Sequence, residues 1–332
     1  MLSRVAEQIY WMNRYVERAE NVARFVDVNL HLELDLPPMH ELSGGNQWQP
    51  LIWTTGDEKL FKARHGDDFT RENVTHFLTF DMENPNSILS CVKAARENAR
   101  SVREVISSDM WVTLNRFYLT MRDPLAIQNA SREPHVFYTD IKRACALFIG
   151  ETITTMSHGE GFHFARIGRL LERGDKTSRI LDVKYYILLP KLEYVGMPID
   201  SLQWAALLKS ASAFEMYRKS NSTITPKQVS RFLLLDREFP RAVLHCLSAA
   251  ETSLRAITGT ALDTFSNAAE QKLGQLRADL NYANIDDIIK TGLHEYVDSL
   301  QTRLNQVDDS MYRTFFEVRS DVTTQTQSQS QS

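Results

Sequence analysis

The stretch "RYVERAENVARFVDV", residues 14–28, decides the fold. It places three arginines, two glutamates and an aspartate in what its apolar spacing reads as the middle of a helix. Such charges are ordinarily a solvated face. Much the same stretch returns as "RLLERGDKTSRILDV", residues 169–183, an offset of 155. Six of the fifteen aligned pairs are identical, among them Arg14/Arg169, Glu17/Glu172, Arg18/Arg173 and Arg24/Arg179. The same offset lays "TRENVTHFLTFDMENPNSILSCVKAA" (70–95) on "TPKQVSRFLLLDREFPRAVLHCLSAA" (225–250), with eleven identities in twenty-six pairs. Two blocks in one register are the mark of an internal repeat. The expected organisation is therefore two copies of one helical unit, residues 1–155 and 156–320, packed as one domain. A polar tail, residues 321–332, is expected to be disordered, because "TTQTQSQSQS" has too little apolar surface to order it.

The fold class expected is all-α, a multi-helix bundle. Thirteen glycines and ten prolines in 332 residues leave long uninterrupted segments, and no run alternates as a strand would. A first helix is expected over residues 3–36, ending at Pro37-Pro38 and followed by the loop "HELSGGNQWQP". Thr70 and Thr225 are expected caps, the latter in a capping-box pattern with proline following. A helix starting at Asn84-Pro85 should run to about residue 106. Others are expected over 110–122, 135–157, 160–189, 200–220, 239–258, 260–281 and 285–319.

On the first helix, Val5, Ile9, Met12, Val16, Ala19, Ala23, Val26 and Leu30 share one side at 100° per residue. Arg14, Glu17, Arg18 and Asn21 share the other. Tyr10, Phe25 and Val28 stand among those charges, so the helix is expected to be covered on both sides. Arg14/Glu17 are three residues apart and Glu20/Arg24 four, as are Arg169/Glu172 and Asp175/Arg179. Exposed pairs at that spacing contribute only about 0.2–0.5 kcal/mol each. Two readings stay open. The stripe is an inter-helical salt-bridge layer, or its guanidiniums line a site for carboxylate or phosphate groups. Arg166, Lys176 and Lys184 make the second copy the more basic one.

Other classes have weaker support. A net charge of −4 and tryptophans without interleaved basic residues argue against nucleic acid. No run of about 18 apolar residues suggests a membrane span. Three cysteines without a CxxC pair fit free thiols in a reducing cytoplasm, the expected location. No phosphate-cradling glycine motif occurs beyond Gly159-Glu160-Gly161, which reads as a loop-to-helix junction. Glu160 and His163 have di-metal spacing, but the repeat supplies no second pair, so no metal is expected. Cys145 lies among apolar residues, and Asp286-Asp287 and Asp308-Asp309 read as surface charge.

The N-terminal "LSRVAEQIYWMNRYVERAENVAR", with Tyr10-Trp11 and Glu17-Arg18, resembles the start of the alpha-E family, and "GRLLERGDKTSRILD" resembles its later Glu-Arg segment. The resemblance covers about residues 1–320. It implies an all-helical bacterial protein of no established activity. It also implies two partners, a circularly permuted ATP-grasp protein and a transglutaminase-like protein, and a setting in peptide synthesis or modification. The resulting expectation is a helical binding or scaffold subunit without catalysis or cofactor of its own. Arg14, Glu17, Arg18, Arg24, Arg169, Glu172, Arg173 and Arg179 would take anionic groups. The alternatives are a peptide-modifying transferase or ligase using that stripe, or a plain oligomerisation module.

Overall fold

The computed structural model describes residues 1–35, 47–188 and 198–317. The tail at 321–332, the last residue expected in the first helix and most of the loop after it lie outside the described residues. Among the described residues there are helices and no strands, so the fold is all-α.

Two long helices run through the centre, α1 (Ser3–Asp35) and, numbered by its place in the chain, α9 (Glu160–Leu188). Between them come α2 (Gln49–Thr55), α3 (Glu58–His65), α4 (Arg71–Thr79) and α5 (Ile88–Ser101). Then follow α6 (Ser108–Arg122), α7 (Pro124–Arg132) and α8 (Pro134–Thr155). After α9 come α10 (Pro198–Ser210), α11 (Phe214–Ser220), α12 (Pro226–Leu235) and α13 (Val243–Thr258). The chain continues with α14 (Ala268–Tyr282), α15 (Ile285–Thr291), α16 (Leu293–Met311) and a π turn over Tyr312–Phe316. α1 packs on α9, α5 and α8, while α9 packs on α1, α13 and α16. The boundaries recur: α4 and α12 start 155 residues apart (71 and 226), as do α5 and α13 (88 and 243).

Local chemistry sets most of these ends. The Thr70 hydroxyl accepts from Asn73 N at 3.4 Å and that of Thr225 from Gln228 N at 3.3 Å, each satisfying a free first-turn donor. Several boundaries differ from the sequence reading. α5 starts at Ile88, because Ser87 is the cap and accepts from Ser90 N. Asn84 instead holds the preceding turn, accepting from Asn86 N and donating to the Phe77 carbonyl. The expected 200–220 helix is broken at Ser212, at φ 51°. The one expected from 285 is broken at Gly292, at φ 106°, a conformation that costs a glycine little.

The core runs the length of α1. Ile9, Met12, Val16, Ala19, Ala23, Val26 and Leu30 are buried, as expected, and so are Tyr10 and Phe25 on the charged side. The helix is therefore covered on both sides. It approaches α9 closely at Gly168, where an added Cβ would lie 2.4 Å from the Tyr10 carbonyl oxygen. Gly168→Ala is expected to force the helices apart at a cost of about 1–3 kcal/mol, the range for overpacking. Urea denaturation followed by circular dichroism should show a lower midpoint. An unchanged midpoint would mean the two backbones do not meet there.

Candidate functional site

At the crossing of α1 and α9 two glutamates are fully buried, Glu17 and Glu172, each at 0% exposure. Each is held by arginines of the opposite helix. Arg173 donates from Nε to Glu17 Oε1 at 2.9 Å and from Nη2 to Oε2 at 2.7 Å. Arg18 donates from Nε to Glu172 Oε1 at 2.7 Å and from Nη2 to Oε2 at 3.0 Å. The two forks are reciprocal, with the Glu-Arg dipeptide of each helix gripping that of the other. Forked guanidinium–carboxylate contacts are the strong form of this interaction.

This rearranges the pairing expected within each helix. Arg14 does not pair with Glu17; its Nε donates to Glu172 Oε2 at 3.0 Å, and Nη1 reaches Asp308 on α16. Asp308, read from sequence as surface charge, is thus a partner of the layer and also accepts from the Tyr10 hydroxyl at 2.8 Å. The pairs spaced by four do form: Glu20 with Arg24, and Asp175 with Arg179 Nε at 2.9 Å.

A further cation at each glutamate comes from a different place. Arg241, in the turn before α13, donates Nη1 to Glu17 Oε1 at 2.9 Å and Nη2 to Glu20 Oε1 at 2.6 Å. The residue 155 positions earlier is Asn86, which bridges Arg18 to Asp57 instead. The corresponding charge at Glu172 is supplied by Lys176, 3.7 Å from Oε1, where α1 has Asn21. Arg241 and Asn21 stand around Glu17, and Asn86 and Lys176 around Glu172, so both added cations come from the second half. Arg241 escaped the sequence reading; the available signal was the charge difference at an otherwise matching offset. The side chain of Lys184 lies outside the described ones.

These contacts set the electrostatics. Burial alone would raise the Glu17 carboxyl, but Arg173 and Arg241 outweigh it and hold it at about 2. Burial opposes ionisation of Glu172 too, and Arg18, Lys176 and Arg14 override it, holding it well below the usual carboxylate range. Arg169 differs from the others. Burial, and then its neighbour Arg173, bring its guanidinium down to about 10.

The remaining candidates are inert or peripheral. Burial pushes Cys91 and Cys246 up to about 12 and Cys145 well above the usual thiol range, so none is set up as a nucleophile. Cys91 and Cys246 occupy matching surroundings, each Sγ facing a proline carbonyl, Pro85 at 3.6 Å and Pro240 at 3.5 Å. Farther along α1, Asp27 draws His31 and His135 together, with ligand-capable atoms within 4.8 Å of one another. Lys142 Nζ already sits 2.6 Å from the second Asp27 oxygen, so this cluster is neutralised from within. Asp182 and His294 form a comparable contact at 2.6 Å between α9 and α16.

A body of this kind, all-helical and closed around two interlocked Glu-Arg dipeptides, is an ion-paired helical bundle. The chain belongs to the Alpha-E family, described as a predicted alpha-helical domain with a conserved ER motif, whose model matches residues 1–316. It is similar to uncharacterized proteins of Mycobacterium bovis and of two Mycobacterium tuberculosis strains. Each is 21% identical over 94% of this chain. The chain spans only 36% of the length of these relatives. No solved structure matches it.

The ionic layer predicts an acid response. A carboxyl whose folded value is depressed adds stability that is complete above its unfolded value of about 4.5. That stability is lost as pH falls toward the folded value. The wild-type urea midpoint is expected to drop steeply as pH falls from 4.5 toward 2. Glu172→Gln, which leaves Arg14 and Arg18 facing a neutral group, should cost about 3–5 kcal/mol at neutral pH and flatten that dependence. A variant as stable as wild type at pH 7 would show the pair to be dispensable.

Proposed function

We propose that this protein is a non-catalytic helical scaffold subunit, cytoplasmic, and that it binds the ATP-grasp ligase of a bacterial peptide-synthesis or peptide-modification system. The transglutaminase-like protein is the second candidate partner. Both identities rest on the family resemblance.

One observation carries the reading. The charges of the central layer are turned inward on one another, while α6, α7 and α8 turn apolar side chains outward around a groove. Exposed Val136 and Leu147 line a groove of about 500 Å³ between α6, α7 and α8, floored by Phe117, Met121, Phe137 and Ile141. The same helices also expose Val112, Leu119, Leu125 and Ile127. Apolar surface of this kind marks an interaction face. Its occupant is the ligase chain. In the mycobacterial relatives the matching region is about a third of a longer polypeptide. A helical unit that is continuous with other chain in one protein is suited to docking on separate chain in another.

The matching helix starts at an offset of 155 support the further reading that residues 1–155 and 156–320 are two copies of one unit packed as a single domain. In that arrangement the reciprocal forks are the seam between copies. The anion-binding role of the stripe then narrows, because Arg14, Arg18 and Arg173 are taken by internal carboxylates.

Co-purification of the tagged protein with a circularly permuted ATP-grasp protein of the same organism tests this. Wild type is expected to retain the ligase, and Val136→Glu with Leu147→Glu to lose it with an unchanged melting temperature. Turnover of peptide or nucleotide by the purified protein alone would overturn the scaffold reading in favour of an enzyme.

A further inference from the structure

The two halves treat corresponding arginines unequally. Arg14 is neutralised by Glu172 and Asp308, and its guanidinium carbon lies 4.9 Å from the Trp11 ring. The residues 155 positions on are Arg169 and Arg166. Arg169 has no carboxylate within ion-pair distance among the described residues, and its Nε is buried without an acceptor. On the opposite helix, Glu17 is held instead by Arg173 and Arg241. Where Trp11 covers Arg14, the second half has another guanidinium, Arg166. Its one hydrogen bond among the described residues is from Nη1 to the Ser253 hydroxyl, at 3.4 Å. One turn earlier, His163 Nδ1 is also buried without a partner.

We infer that Arg166 and Arg169, with Ser253 and His163 beside them, form a binding site for a phosphate group between α9 and α13. The spacing places Arg166, Arg169 and Arg173 on neighbouring positions of one helix face. Arg173 is spent on Glu17, which leaves two guanidiniums with no ion-pair partner among the described residues. A phosphate monoester carries about −1.5 to −2 at neutral pH, which matches two arginines where a lone carboxylate would match one. Guanidinium donors bind phosphate oxygens, and the buried Ser253 hydroxyl holds Arg166 in place by accepting from its Nη1. An unpaired guanidinium held in a partly buried place is costly to maintain. Its presence where the matching position in the first half is fully neutralised is what a ligand site requires. The cation is present at neutral pH, since even its lowered titration lies near 10. The site does not depend on the scaffold reading, because it uses residues of α9 and α13 and none that line the α6–α8 groove.

Thermal unfolding with inorganic phosphate, ADP, or triglutamate, each against sodium chloride at equal ionic strength, tests the site. Phosphate is expected to raise the wild-type melting temperature by roughly 3 °C at saturating concentration. ADP should do so at lower concentration if the group is carried on a nucleotide, and only free phosphate should act if it is not. Arg169→Gln is expected to abolish the shift without lowering the starting stability, since it removes an unpaired charge. Arg166→Gln, outside the ionic layer, is the second variant and should weaken phosphate binding at least tenfold by calorimetry. Equal shifts in wild type and both variants, no shift with any phosphate, or a larger shift with triglutamate would each overturn the assignment.

Discussion

Two carboxylates with no exposure to water hold this molecule in its arrangement. Glu17 and Glu172 cannot remain ionised inside a helical bundle unless cations reach them, and the arginines of their own helices are directed elsewhere. The solution is reciprocal. Each helix sends its arginine across to the other's glutamate, so neither helix is electrically complete alone. Hydrophobic burial favours many ways of packing two amphipathic helices. The interlocked forks select one, and Gly168 beneath the Tyr10 carbonyl lets the backbones come close enough to make it. Everything else in the bundle is arranged around that crossing: α5 and α8 against α1, and α13 and α16 against α9.

Much of this was legible in the sequence, for identifiable reasons. Helical periodicity, scarce breakers and threonine caps are local signals, and they located the long helices and the starts of α4 and α12. The charge stripe was visible too, together with the apolar Tyr10 and Phe25 that foretold its burial. The pairing was not legible. Spacing of three along a helix suggests Arg14 with Glu17, but a partner across an interface competes with one on the same helix. Only the tertiary arrangement decides between them. Asp308 and Arg241 were missed for the same reason: each lies far from the stripe in sequence and meets it only through packing. Short breaks such as those at Ser212 and Gly292 depend on single backbone conformations that residue identity only weakly foretells.

The layer also shows how a similar frame accepts different chemistry. Arg241 and Asn21 around Glu17 are answered by Asn86 and Lys176 around Glu172, which keeps a further cation near each buried carboxylate but brings it from a different element. The same two surroundings differ in their outer arginine: Arg14 pairs with Glu172, and Arg169 pairs with no carboxylate among the described residues. The inert thiols, each pressed against a proline carbonyl or an apolar wall, belong to the same theme: groups with chemical potential are held in packing.

The glycine contact at the crossing has a thermodynamic consequence. With the Tyr10 carbonyl set against Gly168, α1 has no room to tilt about α9, and a slide by one turn would displace every fork by about 5.4 Å. The ion pairs therefore cannot be broken singly through small motions; they are lost together or kept together. Residues far apart in sequence on the two long helices share one cooperative unit of stability, and opening either half exposes charged groups of the other. Heat should accordingly melt the described bundle in a single transition, although its two ends touch different neighbours.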